Sequence, residues 1–217
     1  MPRRKHIKIA EVRTFENVFD YKQENVEQHI INYLGSDKPV TLELGCGQAD
    51  YSINLAKLYP HRNFIGVDRK AARLWNASKN ANSEKLKNVA FLIAYIEKLN
   101  EIFQRIKAEE IWITFPDPYP RRSSIKKRLV HPRFLEVYKN ILLPEGKIFL
   151  KTDDDTLYAY TLKVIEEEKL ILHKSTDDLY KSDLLSEEEK IQTKYEKQHL
   201  AEGKKIKLVC FSFNDIA

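Results

Sequence analysis

The sequence predicts an α/β three-layer sandwich: a mostly parallel sheet of seven strands, covered by helices on both faces and closed by an antiparallel C-terminal edge. Three observations carry this prediction. Short apolar, β-prone runs alternate with longer amphipathic segments between residues 40 and 151. The C-terminal third departs from that rhythm and ends in two strand-like runs without a full helix between them. Finally, 217 residues with 42% hydrophobic content are enough for one sizeable core and too few to require two full domains.

Strands are expected at 40–44 (VTLEL), 63–67 (NFIGV), 89–94 (VAFLIA), 110–115 (EIWITF) and 147–151 (KIFLK), each short, apolar and rich in branched or aromatic residues. Between them the spacing of apolar positions predicts helices at 50–58, 69–81, 96–106 and 132–142. A helix at 155–168 and a strand at 170–174 follow, then a charged polar stretch to about His199 and a final strand at 205–213. Within that stretch Glu187 to Glu189 reads as a solvated helix start. Residues 1–20 form a basic arm with little periodicity, expected to be mobile until a partner binds, and 21–217 form the single domain.

Lys and Arg number 37 against 32 Asp and Glu, a modest excess that is clustered. One cluster is Arg3, Arg4, Lys5 and Lys8, and the other lies between residues 121 and 128, a distribution suited to a local anionic partner. Cys46 and Cys210 are far apart and lack any CxxC or His partner at ligand spacing, which excludes a disulfide framework and a zinc site. No stretch has a signal-peptide apolar region or the length to span a bilayer, so a cytoplasmic protein without membrane contact is expected.

The first strand runs into Glu43-Leu44-Gly45-Cys46-Gly47-Gln48-Ala49-Asp50, a glycine-bearing turn that opens a helix. Gly45 and Gly47 lack the Cβ atoms that would keep a ligand from the backbone, and ligands of such sheets sit at the carboxyl ends of the strands. A dinucleotide fingerprint would need a third glycine where Asp50 stands. Glu43 would repel a pyrophosphate but attract the cationic amino group of a methionine moiety, directly or through water, which favours S-adenosylmethionine over NAD. Asp68, at the end of the second strand, is placed to accept from ribose hydroxyls.

The most distinctive stretch is IWITFPDPYPRRSSIKKR, residues 111–128. Pro116, Pro118 and Pro120 fix their own φ and push the preceding residues, Asp117 among them, toward extended conformations, so the carboxylate is carried on a stiff peptide. Arg121, Arg122, Lys126, Lys127 and Arg128 follow it and can neutralise phosphates. Asp153, Asp154 and Asp155 invite a metal, but they precede a helix whose N-terminus favours negative charge, and no metal is expected.

In ELGCGQA, GVDRK, TFPDPYPRRSSIKKRLVHPRFL, KTDDD and TKYEKQHLAEGKKI, in that order, the chain resembles the bacterial tRNA (guanine-N7)-methyltransferases over nearly its whole length. The resemblance implies a Rossmann-like, S-adenosylmethionine-dependent enzyme that methylates N7 of a guanosine in the tRNA variable loop, releases S-adenosylhomocysteine and works as a monomer or homodimer. It implies that Glu43, Gly45, Gly47, Asp68, Tyr95 and Asp117 border the cofactor, with Asp117 also the catalytic carboxylate. It places Arg121, Asp153, Thr193, Lys194, Tyr195 and Glu196 on the target nucleotide. Arg122, Lys126, Lys127 and Arg128 would then hold the tRNA backbone. Asp68 stands where the family usually has Glu, Tyr95 where it has an acid or amide, and Tyr119 where it has Trp. At Tyr95, adenine would be met by a backbone contact or by ring packing.

N7 of guanine carries a lone pair and no proton, so its methylation needs orientation and charge stabilisation without a general base. Asp117 would either stabilise the purine charge or hold the guanine through its N1 and N2 donors. Because N7 faces the deep groove of an A-form helix, the target must be unstacked or lie in an irregular loop. The main alternative, methylation of an exocyclic amino group, usually carries an acid or amide followed by Pro-Pro-aromatic, whereas here Tyr119 precedes Pro120.

Overall fold

A computed structural model describes residues 2–35, 38, 40–183 and 185–214, without the side chains of residues 2–4. The side chains of Arg3 and Arg4, counted above in the basic arm, therefore lie outside the described residues. The strands are β1 (Val18–Asp20), β2 (Val40–Leu44), β3 (Asn63–Asp68), β4 (Val89–Ile93), β5 (Ala108–Thr114), β6 (Leu142–Thr152), β7 (Ile171–Thr176) and β8 (Lys207–Ser212). They form one sheet in the order β1-β4-β3-β2-β5-β6-β8-β7. Neighbours from β1 to β6 are parallel, and β8 runs antiparallel to both β6 and β7.

The helices are α1 (Pro2–Glu11), α2 (Val26–Leu34), α3 (Asp50–Leu58), α4 (Ala71–Ser83), α5 (Leu99–Ile102), α6 (Pro132–Ile141), α7 (Asp155–Glu167), α8 (Glu187–Lys190) and α9 (Lys194–Ala201). Side chains alternate across each central strand, so both faces must be covered. Leu42, Ile65, Val67, Ile111 and Ile113 pack with residues of α2, α6 and α7 on one face. Phe64, Phe91, Trp112 and Phe149 pack with residues of α3 and α4 on the other. There Trp112 stacks on Phe149 at a centroid distance of 4.1 Å.

Where the sequence reads as seven strands behind a basic arm, the described residues form eight strands, with the helix α1 in place of the arm's first half. Val12 is buried, and β1 adds to the sheet edge beside β4. On α1, Lys8 lies 4.1 Å above the Trp75 ring of α4, and Glu11 accepts from the indole Nε1 at 2.8 Å. A second helix, α2, also went unread, although its buried Val26, Ile30 and Leu34 recur every four residues. The helix expected at 96–106 is only a 3₁₀ turn and the short α5. It stops because the Glu27 carboxylate accepts from the backbone N–H of both Arg105 and Ile106, while Phe103 and Ile106 turn into the core. Among the described residues no helix is long and apolar enough to cross a membrane.

Candidate active site

Strand order reverses between β2 and β5, and the crevice at their carboxyl ends is where ligands of open parallel sheets bind. The turn after β2 enters that crevice. Gly45 and Gly47 adopt φ of +71° and +60°, conformations that a side chain would strain, and Gly45 N–H donates to Val67 O at 2.8 Å. Asp68, at the end of β3, is braced by the backbone: Oδ2 accepts from Gly47 N at 3.0 Å and Oδ1 from Lys70 N at 2.7 Å. Each carboxylate oxygen retains a further lone pair. Arg73 approaches Oδ2 at 3.7 Å.

Glu43 is buried beneath this turn. Ser52 donates to its Oε2 from both N, at 3.0 Å, and Oγ, at 2.5 Å, while Thr114 Oγ1 donates to Oε1 at 2.9 Å. Burial pushes its carboxyl up to about 7, against the lowering effect of these hydrogen bonds.

The segment after β5 holds its carboxylate outward. Asp117 is exposed, between Phe115 at φ 49° and Tyr119 at φ 44°. Non-glycine residues in this region cost roughly 1–2 kcal/mol each, and such strain is found at functional sites. Arg128 helps to hold the segment: its Nε donates to Pro118 O at 2.8 Å and its NH2 to Tyr119 O at 3.1 Å, with the guanidinium against the Tyr160 ring. At 3% exposure, Arg128 is not a surface cation. The sequence-based assignment of Arg128 to the tRNA backbone is therefore corrected to a brace for the proline-rich segment, because its donors are committed to carbonyls. Arg121, Arg122, Lys126 and Lys127 are exposed.

Asp117 stands on a wall shared by two cavities. One, of about 450 Å³, is lined by Gly45, Asp68, Tyr95, Ile96, Asp117 and Tyr119 among others; the Tyr95 ring is half exposed. The second, of about 340 Å³, brings Glu43, Gly47, Asp117, Asp153, Thr193 and Lys194 together, with Tyr195 at its rim. Of the sequence-predicted cofactor and nucleotide residues, only Arg121 and Glu196 line neither cavity.

Glu196 is excluded by its surroundings. It is fully buried, its Oε1 lies 2.7 Å from Lys151 Nζ, and Tyr180 OH donates to the same oxygen at 2.8 Å. Its expected contact with the target nucleotide is thus corrected to an internal ion pair. Thr193 caps α9 by accepting from Glu196 N at 3.1 Å, and Lys194 N donates to Asp50 Oδ2 at 3.2 Å. Lys151 Nζ also donates to the carbonyls of Glu189 and Ile191, so this one ammonium group ties the whole 189–196 stretch to β6. Burial lowers the affinity of Lys151 for its proton, and Glu196 opposes that effect.

The three adjacent acids have separate duties. Asp153 Oδ2 accepts from Lys204 Nζ at 3.0 Å, Asp154 caps α7 by accepting from Leu157 N at 2.7 Å, and Asp155 pairs with Lys207 at 2.9 Å. Residues unread in the sequence also line the second cavity, notably Arg73, Phe115 and His199. A cation five residues after Asp68, in the first turn of the next helix, is a usable signal for Arg73, whereas His199 arrives from the far end of the chain by tertiary packing alone.

Residues 37–209 match a family model described as "Putative methyltransferase". Among solved structures, the chain is similar to the 16S rRNA methyltransferase KamB, with a TM-score of 0.67 at 14% identity, covering 88% of this chain and 95% of that one. A 30S ribosomal A1408 methyltransferase from an uncultured bacterium gives 0.59 at 18% identity, covering 91% and 98%. These likenesses confirm the Rossmann-like fold. The tRNA (guanine-N(7)-)-methyltransferase of Cytophaga hutchinsonii is 39% identical over 98% of this chain and 99% of its own length. That of Porphyromonas gingivalis is 40% identical over 94% and 87%. At this identity over nearly the whole of both chains, and with the family model matching residues 37–209, the chain belongs to the tRNA (guanine-N(7)-)-methyltransferase family.

Proposed function

We propose that this protein methylates N7 of a guanosine in an irregular loop of tRNA, the variable loop, using S-adenosylmethionine. The observation that carries the reading is the position of Asp117, an exposed carboxylate on the wall common to two adjacent cavities. One cavity suits a nucleoside cofactor and the other the reacting base. The name shared by relatives at 39% and 40% identity supports the same chemistry.

The residues present fit the cofactor. Asp68 keeps acceptor capacity for ribose hydroxyls, Gly45 and Gly47 admit a ligand close to the backbone, and the Tyr95 ring with Ile96 offers an apolar surface for adenine. Glu43 supplies negative charge below the turn, where a cationic amino group would favour its ionised form. When bound, S-adenosylmethionine supplies a methyl group on a positively charged sulfur. The remaining tasks belong to the protein. Because the guanine N7 lone pair is free, no residue has to remove a proton; Asp117 either stabilises positive charge developing on the purine or accepts from its N1 and N2 donors.

Arg121, Arg122, Lys126 and Lys127 form an exposed cationic edge beside this carboxylate, suited to phosphates rather than to base edges. On α1, Lys5 is a further exposed cation. The reading puts the enzyme in the cytoplasm with tRNA, as a monomer or a homodimer. It is tested by incubating purified protein with S-adenosylmethionine and unmodified tRNA, then identifying nucleosides by mass spectrometry. The expected product is 7-methylguanosine, lost when the one variable-loop guanosine is replaced. Methylation of an exocyclic amino group instead would overturn the reading.

A further inference from the structure

Resting on that reading of the reaction, we infer that His199 is a specificity-determining residue whose Nε2–H donates to O6 of the target guanine. His199 lies in the last turn of α9 and lines the second cavity with Asp117, Asp153 and Thr193. Its ring is half-buried and faces Phe115 at a centroid distance of 6.0 Å. Lys204 Nζ sits 3.0 Å from His199 Nδ1 and, at the same time, 3.0 Å from Asp153 Oδ2. An ammonium group has donors and no acceptor, so Nδ1 holds this contact only as an acceptor.

The tautomer follows from that constraint. With a lone pair on Nδ1, the ring proton sits on Nε2, for which there is no partner among the described residues. Asp153 and Glu202, whose carboxylates lie 3.7 Å and 3.6 Å from Nδ1, share the same side of the ring with Lys204. Nε2–H is then the ring group of His199 left to donate, in a residue that lines the second cavity together with the carboxylates of Asp117 and Asp153.

Guanine presents the complement of that set: O6 and N7 are acceptors, while N1 and the 2-amino group are donors. Adenine carries a 6-amino donor in place of O6 and would oppose Nε2–H with another hydrogen. A donor at O6 also fixes the edge of the base that carries N7, so recognition and aim come from one contact. Phe115, with its left-handed backbone, supplies an apolar ring beside the imidazole against which a purine can pack.

The test compares His199→Ala with wild type on tRNA carrying guanosine, inosine or 2-aminopurine riboside at the target position. Inosine keeps O6 and lacks the 2-amino group; 2-aminopurine lacks O6. The wild-type to variant ratio of kcat/KM is expected to be about tenfold for guanosine and inosine, the scale of one lost hydrogen bond, and close to one for 2-aminopurine. His199→Gln, which keeps an N–H donor, should recover part of the loss. Unchanged calorimetric affinity of His199→Ala for S-adenosylmethionine would show that the fold is intact. An equal ratio for all three bases, or no loss with guanosine, overturns the inference. Failure of wild type itself to form 7-methylguanosine overturns the underlying reaction and this assignment with it.

Discussion

The two walls of the crevice are held by different means. On the wall proposed for the cofactor, Glu43 and Asp68 sit at the ends of adjacent parallel strands and accept hydrogen bonds from neutral donors, Ser52, Thr114 and the N–H groups of Gly47 and Lys70. On the wall proposed for the target nucleotide, Asp117, Asp153 and residues 193–199 arrive from three segments, and charged side chains hold them in place: Arg128 on the carbonyls after Asp117, Lys204 on Asp153, and Lys151 on Glu196. A wall made from strand ends inherits its precision from the sheet. A wall assembled from separate segments has to acquire it from charged side chains, of which Arg128, Lys151 and Glu196 are buried and costly to leave unpaired.

This contrast can be broken first at Lys151. Glu196→Ala strands an ammonium group in the core and should cost about 3–5 kcal/mol in chemical denaturation, with tRNA affinity falling alongside. The paired change Lys151→Met with Glu196→Leu should regain most of the stability without the activity. If Glu196→Ala melted like wild type, the nucleotide wall would not depend on the pair.

The next largest effect is expected at Asp117. Asp117→Ala should lower kcat about a hundredfold or more, the scale of losing one group aimed at developing charge, while calorimetry finds S-adenosylmethionine bound within a few-fold of wild type. Equal loss of both would place Asp117 on the cofactor wall alone.

Glu43 sharpens the comparison through pH. Its carboxyl is raised from an ordinary 4.5 to about 7, so between those values the folded protein holds a proton that the unfolded chain has released. Its burial therefore costs nothing below 4.5, and the cost grows as pH rises and is complete above about 7, reaching about 3 kcal/mol at most. Glu43→Gln should accordingly raise the unfolding midpoint at pH 8, leave it nearly unchanged near pH 4.5, and weaken S-adenosylmethionine binding at pH 8. A variant less stable at pH 8 would contradict this account.

The smallest effect belongs to the exposed edge. Lys126→Glu with Lys127→Glu should weaken tRNA binding by about tenfold at low salt, flatten its dependence on salt, and leave cofactor affinity unchanged. Arg128→Lys should instead lower thermal stability, since a lysine cannot span two carbonyls as the guanidinium does.

The wall proposed for the cofactor could be assembled from the sequence because its parts are local: a strand runs directly into two glycines, an acid ends the next strand, and the structure places them around one crevice. The nucleotide wall was legible only by resemblance, and the two corrections fall there. Arg128 and Glu196 look like surface charges in a basic run and a polar helix, and nothing nearby in sequence says that Pro118 O or Lys151 will meet them. His199 was missed for the same reason. At the sheet edge, β1 is only three residues long and gives no strand signal, and α2 offers only three buried apolar positions, Val26, Ile30 and Leu34, among polar neighbours.

The chain has two tryptophans, and they divide the molecule optically. Trp112, stacked on Phe149 inside the sheet sandwich, should emit in the blue and stay constant as long as the domain is folded. Trp75 sits at the seam between α1 and α4, its indole N–H on Glu11 and the ammonium groups of Lys8 and Lys79 at 4.1 Å and 4.6 Å from its ring centroid. Lifting α1 would remove one of those charges and admit water, shifting the colour and quenching of a single fluorophore. The basic N-terminal helix thus carries its own unlabelled reporter, able to follow in real time whether that helix stays docked when RNA arrives.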